Sequence, residues 1–392
     1  MVASISAHGG AGSALSYYSH LGRDDYYARG GEPPGRWAGD GAERLSLKGP
    51  VTRPDFEAAL GGRDPKTATE LVKSGGHVRV HAAGWDMTFS APKSVSVLWA
   101  LSSEKQRGAI EAAHRSAVAA GARHLEATAA WARRGKGGAI REQTAGLLIA
   151  KFDHHTSRDL DPQLHTHAFI FNLAPRRDGS WGAIVSRDLY KAQKQAGAAY
   201  RNALARELET LGHAIEREPD RFRAAAIPRA IERAFSKRRQ AIEEAARTFG
   251  YRTPKGMELA TLRTRRAKSE AKLETLHAQW RLEARALGFD LKRDGPRHAR
   301  LTMNRTATTG LRESHVERAS PGAVAASAVH AARATLAQAG HAVGGAIRAA
   351  EQASAMQGVA VDLHTGALSA PPRERKIRKP EHERARHEYE HE

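Results

Sequence analysis

Two apolar runs, 144–152 and 166–173, read as buried strands, with the polar stretch 155–164 between them. This segment constrains the fold most because it sets histidines in the period of a strand. His165 and His167 stand two residues apart, so on a strand both side chains project from one face. His154 sits just past the first run. If 155–164 closes an antiparallel hairpin, His154 returns beside the other two and three imidazoles can converge on one point. Three protein ligands with open positions describe a catalytic metal site rather than a structural one. The H-x-H pattern alone carries little weight, because 20 histidines in 392 residues make about one such pattern by chance. Three partly solvated surface histidines are the competing reading.

A second segment, 84–101 (GWDMTFSAPKSVSVLWAL), reads as a strand broken at Ala91-Pro92 and then a Ser-capped apolar segment. It contains Asp86. A carboxylate near three histidines either accepts a ring N–H, fixing the tautomer, or takes a proton from a nucleophile; the alternative is a solvated turn aspartate. A third cluster, SYYSHLGRDDYY, gathers Tyr17, Tyr18, Tyr26 and Tyr27, half of the chain's 8 tyrosines. Taken alone, such a cluster is explained by aromatic packing of an N-terminal helix.

The charge balance narrows the partner. Lys and Arg number 62 against 43 Asp and Glu, a formal net charge of +19, and such a field attracts polyanions, nucleic acid first among them. With no cysteine, disulfides and thiolate metal sites are excluded, so any metal rests on His, Asp or Glu. No apolar run is long enough to span a bilayer and residues 1–15 show no signal-peptide pattern, so the expectation is a cytoplasmic protein without membrane insertion.

Residues 103–132 have helical apolar spacing behind Ser102 and Ser103 as caps, and from Ser186 onward the pattern turns mostly helical, over 189–211, 228–249 and 259–287. Beyond about residue 295 the composition shifts to Ala and Gly and then to mixed charge. The expected organisation is a working domain, 1–293, followed by an Ala-rich helical and charged tail, 294–392, partly disordered.

The run Phe152, His154, Thr156, Ser157, Arg158, Asp161, Pro162, Gln163, Leu164, His165, Thr166 and His167, with the GWDMTFSAPKSVS segment and the paired tyrosines, resembles the relaxase domain of the TraI/TrwC (MobF) type. The similarity extends through Tyr200-Arg201, Leu211-Gly212 and Phe235-Ser236 to the basic helices ending near Gly288. It implies an α+β fold with a central antiparallel sheet of the HUH endonuclease type and flanking helices. It also implies nicking of single-stranded DNA at an origin of transfer, through a tyrosine ester to the 5′-phosphate. On this resemblance Tyr17 is the first nucleophile and Tyr26 the second, with Tyr18 and Tyr27 as alternatives. His154, His165 and His167 hold a divalent metal, Mg²⁺ or Mn²⁺ first, Zn²⁺ or Ni²⁺ as other candidates, with Asp86 beside them. Lys93, Arg158 and Arg201 contact the DNA.

Family members commonly carry a C-terminal helicase, yet no G-x-x-x-x-G-K-[ST] loop occurs in this sequence. The implied partners are therefore accessory relaxosome proteins, a coupling protein and a separate helicase. Three rivals compete. A rolling-circle replication initiator of HUH type would use similar chemistry. A non-catalytic DNA-binding regulator would use the charge but leave the tyrosines and histidines unexplained, and a three-histidine zinc hydrolase of small molecules would leave the charge unexplained.

Overall fold

The histidine-bearing segment folds as the centre of a five-stranded sheet. The structure is a computed structural model that describes residues 3–8, 14, 33–72, 83–265, 271–301 and 303. In chain order its elements are β1 (Ala3–His8), β2 (Arg36–Ala38), α1 (Asp40–Arg44), α2 (Arg53–Leu60), β3 (Gly84–Ser90), α3 (Lys93–Leu101), α4 (Glu104–Ala129), β4 (Trp131–Arg134), β5 (Ile140–Gln143), β6 (Ile149–Thr156) and β7 (Pro162–Phe171). There follow β8 (Ala174–Pro175), β9 (Trp181–Gly182), α5 (Ser186–Thr210), β10 (Ile215–Glu218), β11 (Arg221–Ala224), α6 (Arg229–Ala234), α7 (Lys237–Thr248), α8 (Pro254–Arg263) and α9 (Leu273–Ala286). The main sheet runs β1-β3-β7-β6-β2, every neighbouring pair antiparallel. This is the expected α+β class with a central antiparallel sheet and flanking helices.

Strand alternation divides the work of the two faces. On β7, Leu164, Ala168 and Ile170 join Trp85, Met87 and Phe89 of β3 in a core covered by the helical layer, with Val95 of α3, Val118 of α4 and Leu204 of α5. The other face carries Phe152, Phe169 and Phe171, which close around Phe56 of α2 at ring-centroid distances of 5.1 to 5.9 Å. That aromatic cluster seals only part of its face. Toward the β6–β7 turn the same face bears His154, His165 and His167.

Both strands lie nearer the turn than the expected runs 144–152 and 166–173: β6 begins only at Ile149 and β7 ends at Phe171. Instead of a loop over 155–164, β6 continues to Thr156, β7 begins at Pro162, and a bulge falls between His154 and Thr156. Polar residues extend the ladder here because the turn supplies its own hydrogen bonds. Ser157 N donates to Asp161 O at 2.9 Å, and Ser157 Oγ accepts from Asp159 N and Asp161 N.

The helix α4 begins as expected, with Ser103 and Gln106 forming a capping box. The serines of the 84–101 segment do not cap α3; Pro92 holds that position. Ser94 Oγ accepts instead from Ala224 N at 3.0 Å, and Ser96 Oγ from Leu164 N at 3.1 Å, tying the helix to β11 and to β7. The expected 228–249 helix is two, α6 and α7, interrupted at the buried Phe235 and Ser236; the 259–287 stretch likewise holds α8 and α9.

The hairpins β4–β5 and β10–β11, four residues to a strand, form separate two-stranded sheets. Among the described residues no helix is long and apolar enough to cross a membrane. The chain divides into Met1–Thr309 and Gly310–Glu392, the second wholly outside the described residues.

Candidate metal and nucleotidyl-transfer site

Antiparallel pairing of β6 with β7 sets His154 directly opposite His165, and Phe152 opposite His167. Two residues along β7, His165 and His167 share that face, so register alone brings the three imidazoles together. Ring centroids lie 5.3 Å apart for His154 and His165, 5.2 Å for His154 and His167, and 5.1 Å for His165 and His167. Imidazoles bound to one ion at about 2.1 Å, at tetrahedral angles, have centroids about 5 Å apart. The spacing fits. The rings are gathered rather than closed, because no group of three or more His, Cys, Asp or Glu among the described residues stands in ligating geometry.

Hydrogen bonding specifies which nitrogen two of the rings would present. His167 Nδ1 lies 2.6 Å from Asp86 Oδ2, and the carboxylate accepts, so that nitrogen carries the proton. His165 Nδ1 donates to the Gln163 carbonyl at 2.9 Å. Both rings are thereby set to coordinate through Nε2, and an acceptor on Nδ1 is the usual outer partner of a metal-bound histidine. Asp86 is 3% exposed and pairs in the ladder with Phe169, while its neighbour on the same face, Thr88, pairs with His167. Thr88 Oγ1 lies 3.2 Å from His167 Nδ1 and 3.4 Å from Asp86 Oδ1. Replacing Asp86 with Ala is expected to weaken divalent-metal affinity about 10- to 100-fold; calorimetric titration with Mn²⁺ showing the wild-type value would remove its assigned role.

Thr88 was not singled out from the sequence, although its place two residues after Asp86 is the signal that puts it on the same face. His8 was missed as well. It lies at the end of β1 with its ring 5.6 Å from Phe169, and burial, which outweighs the attraction of Asp86, lowers its pKa.

The basic candidates fall in different places. Lys93, the first residue of α3, donates to the Pro162 carbonyl at 2.8 Å, and burial lowers its pKa to about 8 against the pull of Asp161. It grips the end of the histidine turn from within. Arg158 lies in that turn and Arg201 on α5, both half-buried. Tyr17, Tyr18, Tyr26 and Tyr27 lie outside the described residues.

Two further groups, an indole and a backbone amide, hold the turn. Trp280 of α9, 2% exposed, donates its indole N–H to the Leu160 carbonyl at 2.9 Å, and Lys237 N at the start of α7 donates to Asp161 Oδ2 at 2.6 Å. Leu160 itself adopts a φ of 57°, a left-handed conformation that such contacts must hold in place.

Comparison with known proteins gives a consistent result. The sequence profile of the family described as TrwC relaxase matches residues 11–287. Two proteins named multifunctional conjugation protein TraI, one from Escherichia coli strain K12 and one from Escherichia coli, are each 36% identical over 293 residues, which is 72% of this chain. The chain spans only 16% of the length of these curated relatives. Among solved structures, conjugative relaxase TrwC in complex with oriT DNA is similar in its copper-bound form, with 37% identity and a TM-score of 0.64, and in a metal-bound form, with 35% and 0.65. Each comparison covers 74% of this chain and 99% of the other. A metal-free complex of the same protein gives 34% and 0.64.

Proposed function

Because the chain belongs to the TrwC relaxase family, we propose that it nicks one strand of DNA at an origin of transfer and retains the cut 5′ end as a tyrosine ester. The observation that carries this reading is the three-histidine cluster on β6 and β7, with Asp86 behind His167. TrwC, at 35 to 37% identity, was solved with oriT DNA and in metal-bound form, which supports a divalent metal and single-stranded origin DNA as cofactor and substrate here. Mg²⁺ and Mn²⁺ are the proposed physiological ions, although an imidazole trio also accepts Zn²⁺ or Ni²⁺.

The reaction needs help that these residues are placed to give. A phenol has a pKa near 10 and is a weak nucleophile at neutral pH. We assign Tyr17 to the first attack: its oxygen forms a bond to phosphorus, the P–O3′ bond breaks, and the 3′-hydroxyl leaves with a proton. His154, His165 and His167 would hold the metal, which when bound polarises the scissile phosphate and offsets its growing negative charge. Asp86 keeps His167 in the tautomer that coordinates. Tyr26 then attacks the regenerated origin, and the 3′-hydroxyl it frees displaces the Tyr17 phenol from the first phosphotyrosine; because that ester retains the energy of the broken bond, religation needs no ATP.

Residues 1–293 are the proposed nicking unit and 294–392 an appended tail; relaxosome proteins, a coupling protein and a helicase are the proposed partners, and the cytoplasm the proposed site of action. The test is incubation of the chain with Mn²⁺ and a labelled single-stranded oligonucleotide carrying its own element's origin. A DNA–protein adduct that survives denaturation is expected, and its absence would overturn the assignment.

A further inference from the structure

Behind the histidines, on the opposite face of the sheet, runs a line of buried side chains to which the proposed reaction gives no task. Thr166, 0% exposed, stands between His165 and His167 but points the other way, and its hydroxyl donates to Asp153 Oδ1 at 2.6 Å. Asp153 and Thr166 are cross-strand partners in the β6–β7 ladder, one pair along from His154 and His165. Arg36 of β2 forms an ion pair with Asp153 Oδ2. On the other side, Thr166 Oγ1 lies 3.0 Å from His114 Nε2 of α4, and His114 Nδ1 lies 2.9 Å from the Tyr200 hydroxyl of α5.

Chemistry fixes the direction of every hydrogen in this line. Asp153 stands as a carboxylate, paired with the Arg36 guanidinium on one oxygen and bonded by the Thr166 hydroxyl on the other. An ionised carboxylate only accepts, so Thr166 donates to it and its oxygen receives the His114 Nε2 proton. Burial lowers His114 to about 4, leaving one ring proton at neutral pH. Its Nδ1 therefore accepts from Tyr200. The order is Tyr200 to His114 to Thr166 to Asp153, closed by Arg36, and no other tautomer satisfies all five side chains.

We propose that this hydrogen-bonded line is a positioning device for the histidine cluster, with Thr166 and Asp153 gripping β7 and β6 from behind at the residues that adjoin His165, His167 and His154. The inference rests on the metal-site reading above. Through Thr166 the α4–α5 layer sets the cross-strand spacing on which metal affinity depends, whereas Asp86 orients a single ring.

The test is Mn²⁺ titration by calorimetry into the full chain without DNA. Thr166→Val keeps the branched shape and deletes the donor and acceptor; it is expected to weaken Mn²⁺ binding about 10- to 100-fold, the range for outer partners of a metal site. Thr166→Ser, which restores the hydroxyl, is expected to recover most of that affinity. Arg36→Met, altering a side chain 40% exposed at the far end, should shift affinity the same way by less, and decides the matter should Thr166→Val not fold. Thermal unfolding is measured in parallel, since a purely structural role lowers the melting temperature without moving the dissociation constant. Wild-type affinity in folded Thr166→Val, or in Arg36→Met if the former is unfolded, overturns the positioning role alone. Wild-type protein that binds Mn²⁺ no better than His165→Ala overturns the metal site and this inference with it.

Discussion

Tyr17→Phe is expected to eliminate the covalent DNA adduct while leaving affinity for the origin oligonucleotide near the wild-type value. Phenylalanine keeps the ring and lacks only the nucleophilic oxygen, so the deficit belongs to chemistry: cleavage should fall on the order of 10³-fold or more. Tyr26→Phe is expected to keep the first cleavage and lose the second transfer, because an esterified Tyr17 cannot attack again. Peptide mapping of the adduct by mass spectrometry checks both. DNA found on Tyr18 or Tyr27, or outside 16–27, would falsify the assignment.

Alanine at His154, His165 and His167 together is expected to abolish measurable Mn²⁺ binding and cleavage in a protein that still folds. Folding survives because these rings are incompletely buried and lie beyond the cluster sealed by Phe56 rather than in the apolar core. Among the single variants, His167→Ala takes away a partner of the buried Asp86 carboxylate and should cost about 1–3 kcal/mol. Calorimetry for the metal, a denaturing gel for cleavage and urea unfolding for stability separate the three effects. A triple variant that cleaves at the wild-type rate would remove the metal site from the mechanism.

The histidine cluster was legible in the sequence because it depends on two simple periodicities. The two-residue period fixes the shared face of His165 and His167, and antiparallel return brings back His154. Asp86 needed the resemblance, since nothing in its own segment says that β3 lies beside β7. The turn was read too long, because 155–164 is polar and apolar pattern was the only guide to where the strands stopped. Ser94 and Ser96 were legible as serines near a helix start, but not as side chains serving Ala224 and Leu164, which are 130 and 68 residues away in the chain. The line from Tyr200 to Arg36 was invisible for the same reason: its five members come from five elements, and no local pattern links them. The break at Phe235-Ser236 shows the converse, a helical composition divided by tertiary burial of one aromatic residue.

The grip of Trp280 and Lys237 on the turn between β6 and β7 bears on how far this protein can be treated as modular. Both histidine strands lie before residue 172, and the sheet is complete by then. Yet the Leu160 carbonyl and the Asp161 carboxylate take their hydrogen bonds from residues 120 and 76 positions downstream. A fragment cut before α7 would keep every candidate ligand and lose both clasps on the loop joining them. A chimera that exchanged α7 to α9 with those of a relative would inherit the clasp only if the incoming helices offered an indole and a backbone amide at the same two places. The smallest transplantable piece is thus set by what holds a five-residue turn, and it reaches at least to Trp280.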